Sequence, residues 1–377
     1  MKTADLITKR IFFIILAVFL LLGAVAGCSR QPTANYVTIA TGNYCTIAQK
    51  SDGTVWAWGY LFSLGFGDRK HRAPVQISGL DDVIAFAIGN RHFVALKADG
   101  TVWAQGANDR GQLGNYSNVE YGIGMNQVHG LTDIVAIAVE GNHNIALKSD
   151  GTVWGWGENL CDQFGKGVLY QCRTPVQIQG FADIVAIATG NNYTLAIKSD
   201  GTLWLSGYYY QYYQGEYAQS GHWFHNSTTS AIQVEDMTNI AAISIGAWDT
   251  YAIKSDGTVW AWNSGRGAAN AYITRDQPVQ IRELTSITSI ATNSDHTIAL
   301  KSDGTVWGWE KVYNTNDAEA TTVQISGLTD VVAISVGFNH TVCIDASGTA
   351  WAWGRNENGQ LGDDTTKNHL TPVQVKG

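Results

Sequence analysis

Charge is scarce in this sequence: Asp, Glu, Lys and Arg make up 15% of its 377 residues, where about a quarter is usual for a soluble domain. What positive charge there is forms no cluster. A nucleic-acid backbone requires a concentrated basic footprint, so DNA and RNA are not expected partners. Also missing are a Gly-x-Ser-x-Gly elbow, a Gly-rich loop leading into a helix and the alternating acidic residues of a calcium loop. With them go the sequence marks of a serine hydrolase, a phosphate cradle and a calcium site. No catalytic residue, metal or cofactor is expected, and the chain does not read as an enzyme. Carboxylates brought together from different loops, and an enzyme sited in a central channel, are the less favoured alternatives.

Long apolar runs are equally rare. The long one covers 11–26, follows Lys2, Lys9 and Arg10, and carries no charge. At 16 residues it is short for a spanning helix and suited to the apolar core of an export signal. It ends in Val25-Ala26-Gly27-Cys28, which resembles the lipobox of bacterial lipoproteins. That resemblance implies cleavage before Cys28 and a lipid on its thiol, several acyl chains anchoring the protein firmly. The expected organisation is a signal peptide at 1–27, a lipidated cysteine and tether at 28–35, and one domain at 36–377. The protein is expected outside the cytoplasm, held at the cell membrane. Losing 1–27 removes three cations, Lys2, Lys9 and Arg10, and one anion, Asp5, so the formal charge moves from −8 to −10. Cys161 and Cys172 flank one loop, and outside the cytoplasm a disulfide between them is expected. Cys45 and Cys343 lie inside apolar strand patterns and read as buried thiols.

What the sequence has in quantity is Gly, at 41 residues, and Trp, at 14. Gly53, Gly100, Gly151, Gly201, Gly257, Gly304 and Gly348 each follow an acidic residue or Ser and precede Thr, at intervals of 47, 51, 50, 56, 47 and 44 residues. Around each recur four short apolar runs, as in 175–178, 184–188, 194–198 and 202–205. Runs this short are strands, and an Asp-Gly between alternating apolar residues is a hairpin signal that asks for positive φ at both central residues. A period of this length with four strands per unit is the mark of a propeller. Trp recurs at 56, 103, 154, 204, 260, 307 and 351, with a second Trp two residues later in five copies. Residues two apart share a strand face, so these pairs should fill the space over the Val and Ala of a neighbouring sheet. The fold expected is all-β: a seven-bladed propeller of four-stranded antiparallel blades, closed so that no sheet edge is exposed. The register is open, because the Pro-Val-Gln run could end its own blade or begin the next.

These residues resemble the regulator of chromosome condensation repeat family. The pieces that carry the resemblance are Asn108-Asp-Arg-Gly-Gln-Leu-Gly114, Asn356-Glu-Asn-Gly-Gln-Leu-Gly362, Gly-Leu-Thr-Asp at 130–133 and 327–330, and Gly-Phe-Asn-His at 337–340. Blades four to six depart from the pattern: Asn263 and Glu310 replace the Gly after the Trp strand, and Gln-Leu-Gly is missing. Members of the family include a nuclear exchange factor for a small GTPase and secreted bacterial binding propellers. The resemblance therefore implies a binding protein first and guanine-nucleotide exchange a distant second, since a fold does not carry function.

Strand alternation puts the Asp-Gly turns on one face of the disc, and the Gly-x-x-His turns with all the long loops on the other. A rigid ring presenting unlike loops is a binding platform. The loop over 207–230 is the richest, with Tyr208, Tyr209, Tyr210, Tyr212, Tyr213 and Tyr217 leading to Trp223 and Phe224. Tyr and Trp offer large contact area at low entropic cost. The expected role is capture of a protein partner, or alternatively of a cell-surface glycan on a stacking platform; the plainer reading folds these rings back over the propeller. His92, His143, His296 and His340 recur at one place in the repeat and read as turn-stabilising residues rather than ligands. The protein is expected to be a monomer.

Overall fold

A computed structural model describes residues 35–61, 64–66, 70–160, 162–165, 167–190, 193–213, 222–227, 230–246, 249–263, 278–293, 296–310 and 322–376. Its strands form seven antiparallel sheets arranged as the blades of a propeller. Blade one runs outward through Tyr36–Thr41, Cys45–Lys50, Val55–Tyr60 and Lys70–Ile77. Each later blade repeats this order, so the Pro-Val-Gln run closes its own blade: His369–Gln374 pairs with Ala350–Gly354 of blade seven, not with blade one.

The hairpin between second and third strands differs from the expected turn. Gly53 has φ 84° but Asp52 is not in the left-handed region. The Gly53 amide bonds to the Lys50 carbonyl at 2.9 Å, the geometry of an ordinary turn followed by a left-handed glycine. Asp52 is held by its side chain instead. Its Oδ1 accepts the Thr54 amide at 2.9 Å and the Thr54 hydroxyl at 2.6 Å, and that hydroxyl accepts the Trp56 indole N–H at 2.8 Å. Blades two to six repeat this Asp–Thr–Trp relay. In blade seven, where Ser347 replaces the Asp, the Trp351 indole turns to Asp345 at 2.9 Å. A lysine at the end of the second strand lies over the ring in five blades, as Lys198 does 3.6 Å from the Trp204 centroid.

The core is a circle of seven clusters, one at each blade boundary. Trp156 of blade three is fully buried against Val102 and Ala104 of blade two, as the Trp spacing requires. Trp58 packs in the same way on Ala350 and Ala352 of blade seven and closes the ring. The first Trp of each pair is only partly buried, at the Asp-Gly face. The boundary between blades seven and one also carries a bond from the Tyr36 amide to the Gly348 carbonyl at 3.0 Å. That is the bond that Ile134 makes to Gly100 and Ile240 to Gly201 between consecutive blades.

Candidate interaction face and channel mouth

The face opposite the Asp-Gly turns is built from the tight turns joining first to second strands. Residues 42, 89, 140, 190, 246, 293 and 337 are equivalent by position in the repeat, and five of them are Gly. Six of them, all but 190, line the mouth of the central channel, a depression of about 110 Å³. A Cβ added at Gly89 would sit 2.8 Å from the Gly141 carbonyl oxygen, and one at Gly246 would sit 2.5 Å from that of Asn293. Turn packs on turn too closely for a side chain. Blade six places Asn293 here, whose amide donates to the Gly337 and Phe338 carbonyls and braces the next turn. Blade three places Glu140, which lines the mouth. Burial pushes its carboxyl pKa up to about 7, the Gly141 N–H offsetting part of the shift.

Just below the turns, side chains at the start of the second strands tie blades two, three, four, six and seven each to the next. His92 Nε2 lies 2.7 Å from Asn144 Oδ1, His143 Nε2 lies 2.5 Å from Thr189 Oγ1, and Tyr193 pairs with Thr250. His296 reaches Thr341 at 2.9 Å, and His340 crosses the ring's seam to Thr46 at 3.0 Å. Blade one has Cys45 here, and the neighbouring blade answers with Phe93, an apolar pair replacing a polar one. The histidines are therefore ties between blades, a larger role than stabilising their own turns.

The described loops after the third strands are not all alike. In blades two, three and seven a buried Asn organises the loop. Asn108 Oδ1 accepts the Leu113 amide and its Nδ2 donates to the Ser117 and Val119 carbonyls. Asn159 and Asn356 do the same for Phe164 and Leu361. Each loop then wedges its Leu or Phe into a blade boundary. The second Trp of the next blade bonds to the loop in two cases: Trp58 donates to the Gln360 carbonyl and Trp156 to that of Gln112, both at 2.9 Å. These loops are structural clamps.

Blade four is different. Its third strand, Leu203–Tyr213, is eleven residues long. The lower part pairs with Ile232–Gln233 as the blade requires, while the upper part pairs with His222–Ser227. Tyr212 stands opposite Trp223, Gln211 opposite Phe224 and Tyr208 opposite Ser227. The aromatic segment expected as a loop is thus a two-stranded ribbon continuing the third strand, because tyrosine, tryptophan and phenylalanine favour extended backbone. Tyr208, Tyr209, Tyr210, Tyr212 and Tyr213 all fall on its outgoing strand, and Trp223 and Phe224 on its return strand.

Family models for the regulator of chromosome condensation (RCC1) repeat match residues 52–96, 150–197 and 347–377, and a second model of the same repeat matches 83–112, 134–163, 287–309 and 331–360. Together they cover more than half of the chain. The chain belongs to the RCC1 repeat family. Among curated proteins it is 30% identical over 148 residues to the ultraviolet-B receptor UVR8 of Arabidopsis thaliana, a match spanning 37% of this chain and 33% of that receptor. Among solved structures it is similar to human WBSCR16, with TM-score 0.70 and 19% identity over 86% of this chain and 94% of that one. It is also similar to yeast RCC1 (Prp20) in its complex with Kap60, with TM-score 0.69 and 18% identity over 96% and 90%. At these identities the solved structures speak for the RCC1 fold alone.

Within this RCC1 propeller the residues singled out by sequence fare unevenly. Cys28, Tyr217 and Cys161 lie outside the described residues. The expected Cys161–Cys172 disulfide is corrected: Cys172 is a free, buried thiol. It packs with Phe164 and Ile178 in the core, its Sγ 3.6 Å from the Leu169 carbonyl, and burial pushes its pKa up to about 11. It is a small core residue, as Cys45 and Cys343 are. Among the described residues no three His, Cys, Asp or Glu side chains converge on a metal position. Glu140 was not singled out by sequence, although the signal is there: it stands in a column otherwise filled by Gly and one Asn.

Proposed function

We propose that this RCC1 propeller is a binding protein that captures a protein partner on its long-loop face, as a monomer tethered outside the cytoplasm through a lipid on Cys28. The observation that carries the proposal is the blade-four ribbon, which extends a run of tyrosines, with Trp223 and Phe224 paired back on it, where the loops of blades two, three and seven are clamped down. Aromatic residues on rigid backbone are what binding hot spots are made of. Protein binding also runs through the similar structures, since yeast RCC1 (Prp20) was solved bound to Kap60 and Prp20p is described with binding properties to Gsp1p and histones. The test replaces the five outgoing tyrosines by Ser and measures binding to proteins captured by the full chain from its native envelope. Affinity should fall at least about 100-fold, the loss of two or more hot-spot side chains. Unchanged affinity would remove the ribbon from the interface. Binding of the unaltered chain to an array of envelope glycans, lost in the same variant, would favour the sugar-stacking alternative.

The tether has its own support in the sequence of 2–28 and its own test. Cys28→Ser should leave the chain unlipidated and its apolar run uncleaved, read by mass spectrometry of the membrane fraction. A processed, unlipidated product would remove the lipid from the proposal. The first described strand starts on the Asp-Gly face, where Tyr36 bonds to Gly348. A tether entering there would turn the ribbon away from the membrane.

A further inference from the structure

We propose that the channel mouth is a receptor for a single alkylammonium or guanidinium group, with the Glu140 carboxylate as its counter-ion. This site is separate from the tyrosine ribbon and does not depend on it. Five of seven equivalent positions are Gly because the turns pack without room for a Cβ, as the carbonyl contacts at Gly89 and Gly246 show. A glutamate in such a ring is out of pattern, and a carboxylate partly withdrawn from water is stabilised by a cation beside it. Among the described residues that line the mouth Glu140 is the one titratable side chain, and the others, such as Thr41, Asn43, Asn90 and Thr292, are neutral.

The charged and titratable groups nearby lead to the same conclusion. His143, paired with Glu140 across the ladder, is bonded away to Thr189, and His92 of the preceding blade is bonded to Asn144. Burial holds both imidazoles neutral, with pKa about 3 and about 4. The carboxyl is therefore poised near neutrality with no cation beside it among the described residues, and a guest cation would ionise it. One carboxylate among neutral groups is too few for a divalent metal, which collects several anionic oxygens. It suits one monovalent organic cation, with the surrounding hydroxyls, amides and carbonyls accepting its N–H groups.

The cation could come as a free amine or as a lysine or arginine side chain of a partner protein, and two probes distinguish these. The full chain in detergent is titrated with n-butylammonium chloride and with a cyclic peptide bearing one lysine at its tip, against sodium chloride of equal ionic strength. Binding is followed by calorimetry and by the carboxyl carbon signal of Glu140. At least one probe should bind saturably and move that signal. Binding should weaken at least tenfold in both Glu140→Gln and Glu140→Gly, the latter restoring the residue of five other blades. Binding of the peptide alone assigns the cation to a partner, and binding of butylammonium extends the site to free amines. Failure of both probes with the unaltered chain, or equal binding by the two variants, overturns the proposal.

Discussion

His92, His143 and His340 are sealed from water, each with Nε2 bonded across a blade boundary, and burial lowers their pKa to about 4, about 3 and about 3. Below pH about 6.5 the unfolded chain takes up protons that these folded rings refuse, so stability falls with pH until the folded values are reached. Each such proton is worth about 1.4 kcal/mol per pH unit. Glu140 acts with the opposite sign. Its pKa is raised to about 7, so the folded chain holds its proton more firmly than the unfolded one between pH 7 and about 4.5. Three imidazoles outweigh one carboxyl, and the melting temperature should drop steadily from pH 6.5 to 5. His143→Gln should flatten that slope, and a slope equal to that of the unaltered chain would show that the ring is not the acid-sensitive group. The recurrence of these histidines was legible in the sequence, but their partners were not. Asn144, Thr189 and Thr46 belong to the next blade, and only the register of one sheet against another brings them within reach.

Single elements were legible to the extent that they repeat. The Asp-Gly hairpins, the Trp strands and their packing follow from residue period alone, so seven sheets could be counted before any coordinates. Two details were not readable in the same way. The turn at Asp52-Gly53 needs positive φ only at the glycine, because the Thr54 amide and hydroxyl hold Asp52 by its carboxylate. The segment over 208–227 breaks the repeat, and composition alone does not distinguish a tyrosine-rich loop from a tyrosine-rich ribbon. Its pairing does, since Leu203–Tyr213 finishes the blade before continuing outward. The division of that strand yields a prediction. Replacing 208–227 by a two-residue turn keeps Trp204 and Leu205 paired with Gln233 and Ile232, so the melting temperature should stay within a few degrees while partner binding is lost. A large fall in melting temperature would make the ribbon part of the fold's support.

At the scale of the ring, every blade is one continuous stretch of chain, and blade seven takes no strand from blade one. The boundary that joins them is furnished as the one between consecutive blades two and three is: Trp58 on Ala350 and Ala352 as Trp156 on Val102 and Ala104, His340 to Thr46 as His92 to Asn144, and Tyr36 to Gly348 as Ile134 to Gly100. Thr41 is bonded to Ser335 at 2.8 Å besides. In repeat architectures stability is close to a sum over such neighbouring contacts. Where the polypeptide happens to start should then matter little. A circularly permuted chain that begins at Gly130, ends at His129 and joins Lys376 to Asn35 by a short flexible linker keeps Val128 and Leu131 in their blade boundary, and it should close the same disc and melt at nearly the same temperature. Collapse of that permutant would mean that the seam, although non-covalent, depends on its free ends.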